Sequence, residues 1–142
     1  MSSEAEFSDP LKVLTGFISE MNQWELNSRR MSREARQTAS PFSHHQPVAE
    51  EKARILAKYC APKHLKYANV GGFTKPPTYD PDGERILEVV TENPRRVSIY
   101  TQQTTTVYNR KCQYVLLKKE GRWWIDNKKY FDHEGKPYKA SL

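Results

Sequence analysis

The sequence predicts an α+β fold in which N-terminal helices pack against a C-terminal antiparallel sheet. Three observations carry this expectation. Apolar residues recur at three- and four-residue steps up to about Tyr59, β-branched and aromatic residues dominate from Glu84 onward, and the two regions do not alternate as they would in a parallel nucleotide-binding sheet. With 142 residues the chain has the length of one domain, able to bury roughly two-thirds of its unfolded surface without metal or disulfide staples. Residues 1–8 are expected to form a disordered N-terminus, and 9–142 a single domain.

Asp9-Pro10 starts the first helix, because the Asp side chain caps free N–H groups and proline at the first helical position loses no hydrogen bond. Leu14, Phe17, Ile18, Met21, Trp24, Met31 and Ala35 then form one apolar stripe, running to about Gln37. Arg29, Arg30, Arg33 and Arg36 crowd its last turns, where cations suit the helix C-terminus. Ser40-Pro41 through Gln46 breaks the pattern. Pro47 opens a second helix with Val48, Ile55, Leu56 and Tyr59 on one face, ending near Ala61-Pro62.

The stretch Gly71 to Pro77 reads as a connector, and its Gly-Gly lacks the following Gly and Lys of a phosphate-cradling loop. After the turn signal Tyr79-Asp80-Pro81-Asp82-Gly83, strands are expected over Glu84–Glu92, Arg95–Gln103, Thr105–Lys119 and Arg122–Tyr130. Consecutive strands separated by Asn93-Pro94 and Glu120-Gly121 imply a meander.

Charge is unevenly placed. Residues 1–94 carry 12 basic and 13 acidic side chains, whereas residues 95–142 carry 11 basic and 4 acidic, so the net +6 belongs to the sheet. Tyr100, Tyr108, Tyr114, Trp123, Trp124 and Tyr130 lie among those cations, but aromatics are favoured in strands anyway and no RNA-binding signature accompanies them. A protein partner with an acidic surface is therefore expected rather than nucleic acid. No apolar run reaches the roughly 18 residues of a membrane helix, and the acidic, polar start is unlike a secretory signal. A cytoplasmic protein without a membrane partner is the expectation.

An enzyme needs a nucleophile with its base, paired carboxylates or a metal cluster. None is visible in the sequence. Cys60 and Cys112 have no His or second Cys at ligand spacing and read as reduced structural thiols. His44, His45 and His64 fall in or beside loops, and His133 lies in the surface turn Asp132-His133-Glu134-Gly135. No catalytic residue, metal site or cofactor is expected, and the inward positions of the sheet look apolar.

Period-two alternation puts Trp123 and Ile125 on one face of their strand and Trp124 and Asp126 on the other. In the partner strand, Gln113, Val115, Leu117 and Lys119 share one side, and Tyr114, Leu116 and Lys118 the opposite one. The hairpin thus offers apolar surface on both faces. Two helices cover only one of them, so the second face wants a partner, either another copy of the chain or a different protein.

Ile55-Leu56-Ala57-Lys58-Tyr59-Cys60-Ala61-Pro62-Lys63, Pro77-Thr78-Tyr79-Asp80-Pro81 before Glu84-Arg85-Ile86, and Tyr114 to Lys119 running into Gly121-Arg122-Trp123-Trp124-Ile125-Asp126 stand out in that order along the chain. Together these stretches resemble the immunity proteins of bacterial polymorphic toxin systems that have the nuclear transport factor 2-like fold. The resemblance covers roughly residues 47–130 and implies a cone of helices over a strongly curved sheet. It further implies a bacterial cytoplasmic protein that binds and neutralises a cognate toxin domain. The family pattern Gly-x-Trp-x-Ile-Asp gives Trp123 and Ile125 a core role, which Trp24 and Tyr79 are expected to share. Trp124 departs from that pattern, where a polar residue is usual, and so becomes the leading contact candidate with Tyr114, Lys118, Lys119 and Arg122. The alternatives are a small-molecule-binding or isomerase- or dehydratase-type member of the same fold, marked by a titratable residue in a deep pocket, and a homodimeric scaffold.

Overall fold

The computed structural model describes residues 7–35, 37, 45–67, 78–105, 109–140 and 142. Arg36, the Ser40-Pro41 break, His44, the Gly71–Pro77 connector and Tyr108 lie outside the described residues.

Helix α1 spans Pro10–Ala35. The Asp9 carboxylate accepts the Leu11 N–H at 3.0 Å, the cap expected of Asp before Pro at a helix start. The apolar stripe buries Val13, Leu14, Phe17, Ile18, Met21 and Trp24. Met31 is only half-buried, and Arg30 is spent on an i,i+4 pair with Glu34. Helix α2 spans His45–Tyr59, so Pro47 lies within its first turn, where its missing N–H is tolerated. The helices are stapled by Trp24, whose indole N–H donates to the Val48 carbonyl at 2.9 Å. They are stapled again by Tyr59, whose hydroxyl donates to Glu20. Gly16 permits that approach, since a Cβ there would stand 3.0 Å from the Tyr59 hydroxyl.

After the 3-10 turn Pro62–Tyr67 the described residues form five strands: β1 Glu84–Asn93, β2 Arg96–Thr104, β3 Asn109–Lys119, β4 Arg122–Phe131 and β5 Pro137–Ala140. They pair antiparallel in the order β1-β2-β3-β4-β5, a plain meander. The sequence reading missed β5, whose four residues are nearly all exposed and too few to show a period. The β3–β4 turn places Glu120 and Gly121 at φ 53° and 79°, the left-handed geometry of a two-residue hairpin turn, pairing Lys119 with Arg122.

Register shifts between Ile86 and Glu88, between Thr91 and Asn93, and between Val115 and Leu116 interrupt the ladders, and such bulges bend strands and sharpen sheet twist. The curved sheet holds both helices on its concave side, with α1 and α2 reaching β4. The first half of β4 has its outer edge closed by the end of α2, where the Ala61 N–H donates to the Ile125 carbonyl at 2.9 Å. Trp123 and Ile125 lie in the core with Trp24 and Tyr79, as alternation and helical spacing predict. Phe7 also lies in that core, although the sequence reading assigns it to a disordered N-terminus; its ring packs 5.8 Å from that of Tyr59.

Candidate functional site

The interior of the sheet is polar at its centre, contrary to the apolar inward face expected from sequence. Glu84, Thr101, Gln103 and Tyr114 face inward on β1 to β3, and the bulge in β4 adds a lysine to them. Val115 faces Asn127 while Leu116 faces Ile125, so the extra residue Asp126 flips the alternation and turns Lys128 inward instead of Asn127. Lys128 is fully buried. Its ammonium donates to the Tyr79 hydroxyl at 3.3 Å and stands 4.3, 5.5 and 4.6 Å from the ring centres of Tyr79, Tyr114 and Tyr130. Burial pushes it down to about 8, with the carboxylate of Glu84 partly opposing that effect.

Glu84, on the inward side of β1, accepts hydrogen bonds from the Thr101 hydroxyl at 2.6 Å, the Gln103 amide at 3.0 Å and the Tyr114 hydroxyl at 2.9 Å. Burial, and then the charge of Glu84, push the Tyr114 phenol well above its ordinary range; burial does the same to Tyr79. On α1, buried Glu25 receives the backbone N–H groups of Thr78 at 2.7 Å and Tyr79 at 3.1 Å, while the Asn22 amide donates to the Tyr79 carbonyl at 2.7 Å. Burial raises the Glu25 carboxyl. These groups are partnered by one another, so the polar centre ties four strands and α1 to the 78–79 segment. Neither of two surface cavities reaches Lys128, Glu84 or Tyr114: a cleft of about 290 Å³ lies between α1 and α2, and a groove of about 710 Å³ lies where β3 begins and β4 ends.

Both cysteines are buried and free, with thiols pushed up by burial, Cys112 to about 11. Their environment is that of inert structural thiols. His64 is buried, its Nε2 2.7 Å from the Asp126 carbonyl oxygen, and desolvation lowers its pKa. Among the described residues no group of three or more His, Cys, Asp or Glu is placed to hold a metal, and no helix is long and apolar enough to cross a membrane.

The five contact candidates do not converge on one surface. Tyr114 is wholly buried and bonded to Glu84, which removes it from any contact surface of the folded chain. The reason was readable: the two-residue turn pairs Lys118 with Trp123, so Tyr114, Leu116 and Lys118 share the core side. Arg122 is committed to the fold, its guanidinium stacked 3.7 Å from the ring centres of both Phe7 and Trp124 while donating to the Lys58 carbonyl at the end of α2. Lys118 is exposed but points to the helix side, beyond the reach of the core. Lys119 is exposed and Trp124 half-buried on the opposite, convex face, Trp124 beside its cross-strand neighbour Leu117.

That convex face is not the bare apolar surface expected. Cross-strand rows carry Tyr100, Gln113, Lys129 and Lys139 in one line and Arg96, Leu117 and Trp124 in another. Val115 is buried, and neighbouring Ser98 bonds to both Glu92 and Gln113. The face is amphipathic, acidic at β1 through Glu88 and Glu92 and basic across β3 to β5.

Comparison with known proteins supplies what the geometry alone does not. The family model for NTF2 fold immunity proteins matches residues 9–141. The chain belongs to this family. It is 34% identical over 128 residues to immunity protein RhsIA of Dickeya dadantii (strain 3937), covering 89% of this chain and 90% of that one. No solved structure matches it. As an NTF2 fold immunity protein the chain is not an enzyme. Sequence reasoning missed Lys128 in the polar centre because its inward placement depends on one bulge residue.

Proposed function

We propose that this protein protects its cell by binding a cognate toxin domain one to one and covering the surface that the toxin needs. The match to immunity proteins across residues 9–141 carries this reading. The contact lies on the convex face of the sheet, with Trp124 as aromatic anchor and Lys119 as a charged neighbour; Lys118 marks the rim. The cations of β3 to β5 suit an acidic toxin surface and would speed encounter at low salt. Residues 9–142 act as one domain, and the binding takes place in the cytoplasm.

Co-expression with the toxin domain encoded beside this gene tests the proposal. Growth is restored by the wild type and restored less by a Trp124→Ala, Lys119→Glu double variant that still folds. Absence of rescue by the wild type overturns the reading. A homodimer is the competing state of the free protein, because edge strand β1 leaves Leu87 and Val89 each 43% exposed; it would show as mass rising with concentration in sedimentation.

A further inference from the structure

We infer that the groove between the start of β3 and the β4–β5 turn is the seat of an acidic segment of the toxin, a second anchor at the end of the sheet away from the β3–β4 turn, where the convex side carrying Lys111 and Phe131 meets the helix side carrying Arg110 and Tyr138. This rests on the toxin-binding reading and adds a location and a chemistry to it. Gln102 on β2, Arg110 and Lys111 on β3, Phe131 on β4, Asp132 and His133 in the turn and Tyr138 on β5 line the groove, the Asp132 carboxylate being turned to backbone N–H groups of that turn.

Lys111 is held in place by aromatic rings, with no carboxylate among the described residues within ion-pair distance. The Lys111 ammonium sits 4.8 Å from the Tyr100 ring centre and 5.4 Å from that of Phe131, rings themselves 6.4 Å apart. Aromatic faces fix a cation and leave its charge available to a further anion. The Arg110 guanidinium lies 3.6 Å over Tyr130 and is oriented by donating to Gln103 at 2.8 Å. Cations on the helices are used differently: Arg30, Arg54 and Lys58 each pair with a carboxylate. Among the described residues Lys111, Lys129, Lys136 and Lys139 have no carboxylate within ion-pair distance.

The groove wall is rigid where it meets the turn. Asp132 accepts the N–H groups of Glu134 and Lys136, both at 2.9 Å, and Gly135 takes the left-handed φ of 82° that the turn requires. Tyr138, 48% exposed and 5.8 Å from Tyr130, offers an apolar ledge beside these charges. Residues 109–111 and 129–140 hold five cations, Arg110, Lys111, Lys129, Lys136 and Lys139, against two acids, Asp132 and Glu134. A short carboxylate-bearing peptide matches a positive field of this limited extent. A nucleic-acid backbone, longer than a short peptide, matches it less well, since it would run on toward Glu88 and Glu92 of β1 or past Glu134 in the turn.

Binding of the toxin domain encoded beside this gene is measured by biolayer interferometry at two salt concentrations, for wild type, Lys111→Glu, Lys111→Arg and Tyr138→Ala. Lys12→Glu, the same charge change on the exposed side of α1, serves as the control. Lys111→Glu weakens binding about tenfold and flattens its salt dependence, Tyr138→Ala shortens the complex lifetime, and Lys111→Arg and Lys12→Glu bind nearly as wild type, all with unchanged melting temperatures. Lys111→Glu binding within about twofold of wild type overturns the inference while leaving the toxin-binding reading intact; a wild type that does not bind overturns both. A fluorescein-labelled single-stranded DNA that binds wild type and is lost in Lys111→Glu, with toxin binding unchanged, also overturns it.

Discussion

Replacing Lys128 by Met tests the buried polar centre directly, because an unbranched side chain of similar reach remains while the charge is removed. In the fold burial pushes Lys128 from its ordinary 10.5 down to about 8. Between those two values the unfolded chain keeps a proton that the folded chain has released. Unfolding therefore takes up a proton, and stability rises with pH across that window. From pH 7 to 9 the contribution amounts to about 1 kcal/mol in favour of the folded state. The thiols of Cys60 and Cys112, raised by burial above their ordinary 9.0, act in the opposite sense near and above pH 9. Both are present in the variant and largely cancel in the comparison. Urea unfolding followed by tryptophan fluorescence at pH 7, 8 and 9 gives the stability gap between wild type and Lys128→Met. It should move by about 1 kcal/mol toward the wild type as pH rises. A gap that stays constant, or moves the other way, would refute a buried lysine with a depressed pKa.

Three further substitutions read out other parts of the fold. Trp123→Ala should cost about 3–5 kcal/mol of stability through the cavity it leaves in the core. Trp124→Ala should cost under about 1 kcal/mol of stability yet weaken toxin binding by about 2 kcal/mol, as measured by chemical denaturation and calorimetric titration. Glu25→Ala removes the acceptor of two backbone N–H groups at Thr78 and Tyr79, and should destabilise by about 2–4 kcal/mol in urea.

The helices and four of the strands were legible in the sequence because burial enforces their periods. Trp123 and Ile125 both precede the β4 bulge, so strict alternation places them on the core side. Beyond Asp126 alternation fails, and Lys128 and Tyr130 exchange faces with Asn127 and Lys129, which no composition signal announces. Tyr114 was misassigned as a contact although the two-residue Glu120-Gly121 turn fixes the register that buries it. Arg122 was out of reach for a different reason. Its stacking between Phe7 and Trp124 joins residues more than a hundred positions apart, and long-range packing of that kind leaves no local pattern.

Titrating the toxin domain with this protein while following the toxin's own activity tests the central claim most directly. Activity should fall linearly and vanish at one equivalent, with native mass spectrometry showing a one-to-one complex. Full toxin activity in the presence of excess protein would contradict neutralisation by stoichiometric binding.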